Sequence, residues 1–195
     1  HAGSGECFCD TKGLPANNAT PFRPRSPYAV AKASAYWLVN NYREAYGLYA
    51  CTGILFNHES PLRPHHFVTQ KIVQAAKRIS AGSTEKLTLG RMDISRDWGW
   101  APDYVEAMWL MLQQQSPEDF VIATGHTFPL EEFVATAFEL NNLEWRAHVV
   151  QDATLFRPSD ILNNIGDPNK AKKQLNWSAS LKGKAVVKAM LDYKD

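Results

Sequence analysis

The sequence predicts an α/β fold, and three observations carry that prediction. Apolar runs of strand length alternate with longer segments of helical spacing along the chain. One such run, residues 48–56, ends directly in the polar string Asn57-His58-Glu59-Ser60-Pro61, the pattern of a buried strand that delivers functional groups at its carboxyl end. The third is composition: 195 residues, 45% hydrophobic and 21% charged, suffice for one sizeable core and exclude a disordered chain.

Taken in order, residues 1–5 read as the end of a strand. Residues 9–26 are rich in Pro, Asn and Gly and form a loop that opens into a helix over 27–46, which Gly47 stops. After the buried strand at 48–56, the spacing predicts a helix over 67–81, a short strand over 86–89, a helix over 102–115 that starts at a proline, and a strand over 120–123. Helices over 130–140 and 182–195 follow. Between them Asp167-Pro168-Asn169-Lys170 opens a short helix with an acidic cap and a proline in its first turn. Lys170, Lys172 and Lys173 are assigned to a solvated face. Internal repeats and low-complexity segments are absent.

A formal net charge of +1 gives little pull toward nucleic acid or an anionic membrane, and no basic run is interleaved with aromatics. No apolar stretch reaches the roughly 18 residues of a membrane span, and residues 1–20 do not show a basic n-region followed by an apolar h-region. Cys7, Cys9 and Cys51 are odd in number and lack zinc-type spacing, so free thiols, no metal and a cytoplasmic location are expected. The triplets Asn18-Ala19-Thr20 and Asn176-Trp177-Ser178 are then coincidental matches to a glycosylation signal. The chain opens on His1-Ala2-Gly3-Ser4 rather than Met and holds no Gly-rich dinucleotide fingerprint, so an upstream segment is expected.

The most informative pair is Tyr28 and Lys32, one turn apart on the same face of the first predicted helix. A free tyrosine hydroxyl titrates near pH ~10 and is a poor base at neutrality unless a fixed cation favours the phenolate, which Lys32 could do. An amphipathic helix with a chance Tyr and Lys would look the same.

Ser4-Gly5-Glu6, Ser26-Pro27-Tyr28 through Lys32, Phe56-Asn57-His58-Glu59-Ser60-Pro61, Arg96-Asp97-Trp98-Gly99 and Asp103-Tyr104-Val105-Glu106-Ala107-Met108-Trp109 together resemble the GDP-mannose 4,6-dehydratase family of extended short-chain dehydrogenase/reductases. The likeness runs from residue 1 to about residue 176, with the motifs in family order. The resemblance implies a partial NAD(P)-binding Rossmann-like sheet plus a smaller C-terminal α/β substrate-binding domain. Residues 1–60 would close the Rossmann-like part, and 61–195 would mainly form the GDP-sugar domain, with segments returning to the first part. The phosphate-cradling loop would lie upstream, leaving this chain inactive alone.

It further implies NADP as cofactor and GDP-mannose as substrate: hydride moves from C4 of the sugar to NADP, water is eliminated across C5 and C6, and the hydride returns to C6. Tyr28 would be the base on the C4 hydroxyl, Lys32 its tuner and a ribose contact, Ser4 a hydrogen-bond partner of the same oxygen, and Glu6 the base that takes the C5 proton. His58 and Arg63 match NADP contacts, while Asn57, Lys71, Arg96, Arg157 and Asp160 match GDP-mannose contacts. An arginine fork suits a diphosphate. Departures stand at Cys9, Leu62, Pro64, His66, Arg91, Asp160 and Trp100, where the family has other residues, so a GDP-heptose 4,6-dehydratase fits nearly as well. The family also implies a homo-oligomer, dimer or tetramer, at full length. Two readings stay open beside the dehydratase: a related reductase or epimerase, against which Glu6 argues, and a non-catalytic nucleotide-sugar-binding or assembly module.

Overall fold

The computed structural model describes residues 1–156 and 160–193. The first elements are β1 (Ala2–Ser4), α1 (Pro27–Tyr46), β2 (Gly53–Leu55), β3 (Asn57–Glu59) and α2 (Val68–Ser80). There follow β4 (Leu87–Leu89), β5 (Ser95–Arg96), β6 (Trp98–Trp100), α3 (Ala101–Met111), β7 (Phe120–Ile122), β8 (Phe128–Pro129) and α4 (Leu130–Glu139). The chain closes with β9 (Val149–Gln151), β10 (Asn163–Asn164), α5 (Asn169–Gln174) and α6 (Lys184–Asp192).

The main sheet is parallel, in the order β1-β2-β7, with Ser4 opposite Leu55 and Leu55 opposite Ile122. Parallel neighbours need a crossover, and α1 supplies it between β1 and β2. Strand side chains alternate between faces. Ile54, Phe56 and Val121 accordingly join Phe8 in one core, with Tyr36 of α1 packed on it, whereas Leu55, Phe120 and Ile122 join Tyr104 and Met111 of α3 in another. A third core lies between α2, α4 and α6, around Ile72, Phe133, Phe138 and Val187. Parallel pairs β3-β6 and β4-β9, and the mixed sheet β10-β5-β8, bridge these layers.

The first helix forms where its signals stand. Ser26 Oγ accepts the Ala29 N–H at 3.1 Å, Pro27 occupies the first turn, and Gly47 caps the end at φ 65° with its N–H on the Arg43 carbonyl. Asp119, beside β7, anchors the far end: its carboxylate receives Arg43 at 2.8 and 3.0 Å, Asn40 at 3.2 Å and the Thr52 N–H at 2.6 Å. That fork holds the end of α1 to the sheet whose strand β1 leads into the site.

Several boundaries differ from the sequence reading. The run 48–56 is strand only from Gly53, because Leu48 and Tyr49 lie exposed before the sheet begins. The helix read over 102–115 ends at Met111, where the Tyr49 hydroxyl lies 2.6 Å from the Gln114 carbonyl and 3.2 Å from that of Met111. Lys170 is not on a solvated face: it meets Glu118 and the Asp119 carbonyl at 2.8 Å each and sits 4.6 Å over the Phe120 ring. Lys172 and Lys173 are exposed. The start of α5 is shifted: the helix begins at Asn169, so Pro168 stands at the cap position rather than in the first turn, and Asp167, one residue further out, accepts the Asn169 N–H on Oδ1 at 2.9 Å.

Candidate active site

A cleft of about 790 Å3 opens at the carboxyl ends of β1 and β2. Ser4, Glu6, Tyr28, Asn57, His58, Arg63, Arg96 and Asp160 all line it. Ser4 ends β1 and caps the short 3-10 turn Gly5–Phe8, accepting the Glu6 N–H on Oγ at 3.2 Å. A hydroxyl used so as an acceptor keeps its own O–H as a donor. The turn sets Glu6 half-buried in the cleft wall, while Tyr28, 52% exposed, enters from the start of α1.

Lys32 lies beside Tyr28 rather than on the wall. Its ammonium is 5.7 Å from the Tyr28 ring centroid and donates to the Ala2 carbonyl of β1 at 2.9 Å, so the charge is tied to the strand that carries Ser4. Lys71 stands off the cleft lining and donates to the Thr88 carbonyl at 2.6 Å. Arg96 gives one N–H to the Ser95 carbonyl at 3.0 Å. Arg157 lies outside the described residues.

His58 is fixed from two sides. Its Nδ1 is 2.8 Å from the Phe56 carbonyl, which can only accept, so Nδ1 carries the proton and Nε2 is the acceptor of the neutral ring. The ring packs on Tyr104 at a centroid distance of 4.7 Å. Burial holds its pKa below the ordinary histidine value, with the nearby Arg63 charge acting in the same direction against the Phe56 hydrogen bond. Tyr104 approaches Gly99 so closely that a Cβ there would lie 2.4 Å from its ring, which leaves glycine alone able to occupy that strand position.

Sequence reasoning missed three groups. Arg25 lines the cleft beside Tyr28. Buried Asp97 accepts from the Thr124 N–H and hydroxyl at 2.8 and 2.7 Å and from the Gly125 N–H at 3.0 Å, pinning the segment between β5 and β6 to the end of β7. Glu59 was visible only as a letter of the Asn-His-Glu-Ser-Pro string, although a carboxylate four residues before Arg63 was a signal. Among the described residues no group of three His, Cys, Asp or Glu side chains could hold a metal ion. No helix among them is long and apolar enough to cross a membrane.

Solved structures share this architecture. A structure described as RMD from Pseudomonas aeruginosa complexed with NADPH matches with a TM-score of 0.88 at 22% identity, over 97% of this chain and 64% of that one. The dTDP-glucose 4,6-dehydratase DesIV from Streptomyces venezuelae, with NAD and TYD bound, matches at 0.87 and 19% identity, over 97% and 57%. At these identities the likeness shows the fold: this chain shares the α/β architecture, with its parallel main sheet, of those two structures. A family model described as GDP-mannose 4,6 dehydratase covers residues 1–190, and GDP-mannose 4,6 dehydratase 1 of Arabidopsis thaliana is 52% identical over 98% of this chain. The chain belongs to the GDP-mannose 4,6 dehydratase family. It spans about half the length of the curated relatives it matches, 53% for the Arabidopsis protein.

Proposed function

We propose that this chain is the catalytic and substrate-binding part of an NADP-dependent GDP-mannose 4,6-dehydratase, a lyase that forms GDP-4-keto-6-deoxymannose and water. The observation that carries the reading is convergence: Ser4, Glu6 and Tyr28 share one cleft with Asn57, His58, Arg63, Arg96 and Asp160. Tyr28 takes the proton of the C4 hydroxyl, with the Lys32 ammonium as the neighbouring positive charge, and Ser4 donates to the same oxygen. Once C4 is a ketone, the C5 proton is acidic enough for Glu6 to remove it, the C5–H electron pair forming the C5=C6 bond as the C6–O bond breaks and the hydroxyl departs with a proton as water. NADP, when bound, supplies the hydride acceptor and donor. Lys32, His58 and Arg63 would hold its nicotinamide end. The residues fit that task, since Arg63 faces the cleft and its Nε and Nη2 carry no hydrogen bond among the described residues. Asn57, Arg96 and Asp160 would hold the GDP-sugar, with Arg157, and Lys71 would join them only by leaving Thr88.

We further propose a division near residue 60, with 61–195 mainly serving the GDP-sugar, as a separate core between α2, α4 and α6 supports. A homo-oligomer at full length is supported by α1, which leaves Trp37, Leu38, Tyr42 and Tyr46 exposed. A cytoplasmic setting suits three free cysteines, two of them buried.

The testing experiment is a product assay on the full-length protein with GDP-mannose and with a GDP-heptose. Conversion of GDP-mannose to the 4-keto-6-deoxy product is expected; turnover of the heptose alone moves the substrate, and turnover of neither refutes the enzyme reading. By calorimetry the 195-residue chain alone should hold GDP weakly and NADP hardly at all.

A further inference from the structure

Glu59 is 1% exposed, at the end of β3, and a carboxylate in such a place is stable only when paired and hydrogen-bonded. Both of its oxygens are engaged. Oε1 accepts from Arg63 Nη1 at 2.6 Å and Oε2 from the Thr69 hydroxyl, in the first turn of α2, at 2.6 Å. Burial pushes the Glu59 carboxyl upward from its ordinary value, and the Arg63 charge and the Thr69 hydroxyl oppose that push.

Arg63 is held on further sides. Nη1 also donates to the His58 carbonyl at 2.9 Å, and the guanidinium lies 3.9 Å over the Phe67 ring centroid. Both hydrogen bonds of the guanidinium leave from Nη1, and the Nε–Nη2 edge makes none among the described residues. Arg63 lines the cleft, whereas Glu59 does not. The arrangement therefore spends a buried negative charge to orient a cation whose other edge is available to an anion.

Building on the cofactor reading above, we propose that Glu59 is a positioning residue: its buried carboxylate fixes the Arg63 guanidinium at the cleft wall so that the second edge of the fork grips an anionic group of the nicotinamide dinucleotide. Thr69 steadies that carboxylate from α2, and Phe67 limits the tilt of the fork.

A double-mutant cycle in the full-length protein tests this, with NADP and GDP-mannose dissociation constants read separately by calorimetry. Glu59→Gln and Arg63→Ala should each weaken NADP binding by about tenfold, and the double variant should bind no worse than Arg63→Ala alone. GDP-mannose binding by Glu59→Gln should stay within about twofold, because only the cofactor contact is disturbed. Loss of both ligands together, full additivity, or unchanged NADP binding in Glu59→Gln overturns the positioning role while leaving Arg63 as a cofactor contact. Unchanged NADP binding in Arg63→Ala removes that contact and the positioning role with it. Should Glu59→Gln fail to fold, Thr69→Val decides in its place: a weaker hold on NADP at unchanged GDP-mannose affinity supports the role, and no change overturns it.

Discussion

His58 shows how neighbours dictate a side chain's state. With Tyr104 against the ring and Nδ1 donating to the Phe56 carbonyl, the charged imidazolium loses more hydration than that one hydrogen bond replaces, and the Arg63 charge adds to the penalty. Its folded pKa lies below the unfolded value, so the stability it contributes is present above about pH 6.5 and is lost as pH falls through that range. An NMR titration should place its midpoint below the ordinary value of 6.5, and a midpoint at or above it contradicts the assignment. The ring beneath it offers a second test. The Tyr104 hydroxyl is buried without a hydrogen-bond partner among the described residues, so Tyr104→Phe removes an unsatisfied group at almost constant volume. Urea unfolding should show a change between zero and a gain of about 1 kcal/mol. A loss of that size would mean the hydroxyl has a partner.

Elements were legible in the sequence where their signals are local. Ser26, Pro27 and Gly47 sit at the ends of α1 and act there through their own turns, so 27–46 could be read off and matches the observed helix. β5, β8 and β10 are two residues each and exist because partners from distant segments pair with them, as Asn164 does with Arg96. No periodicity can register in so short a run. Lys170 was misread for the same reason, since Glu118 and Phe120, around the start of β7 and far from it in the chain, are partners that the local lysine pattern does not show. The anchoring of α1 is likewise non-local, and it predicts a large effect. Asp119→Ala leaves Arg43 partly buried without its carboxylate, at a cost of about 3–5 kcal/mol in denaturant unfolding. A change under about 1 kcal/mol would show that the fork does not hold the helix.

The whole molecule brings together residues that the chain keeps far apart: Glu6 beside β1, Tyr28 on α1, His58 and Arg63 beyond β2, Arg96 on β5 and Asp160 before β10 meet around one cleft. Tyr28 and Glu6 were legible as candidates through the motifs around them, and their meeting at one cavity was an expectation from the family resemblance alone, because no local pattern shows the pairing of β1 with β2 that builds the cleft floor. The exposed side of α1 belongs to this scale as well. If a second copy covers it, Trp37→Glu in the full-length protein should shift sedimentation toward the smaller species, and an unshifted profile would place the interface elsewhere.

The claim on which the rest depends is that one cleft contains a carboxylate base distinct from the tyrosine. The direct measurement is the product profile of full-length Glu6→Gln supplied with GDP-mannose and NADP. Loss of the 4-keto-6-deoxy product, with oxidation at C4 still detectable, is the predicted result, and product formation at the unsubstituted rate contradicts it.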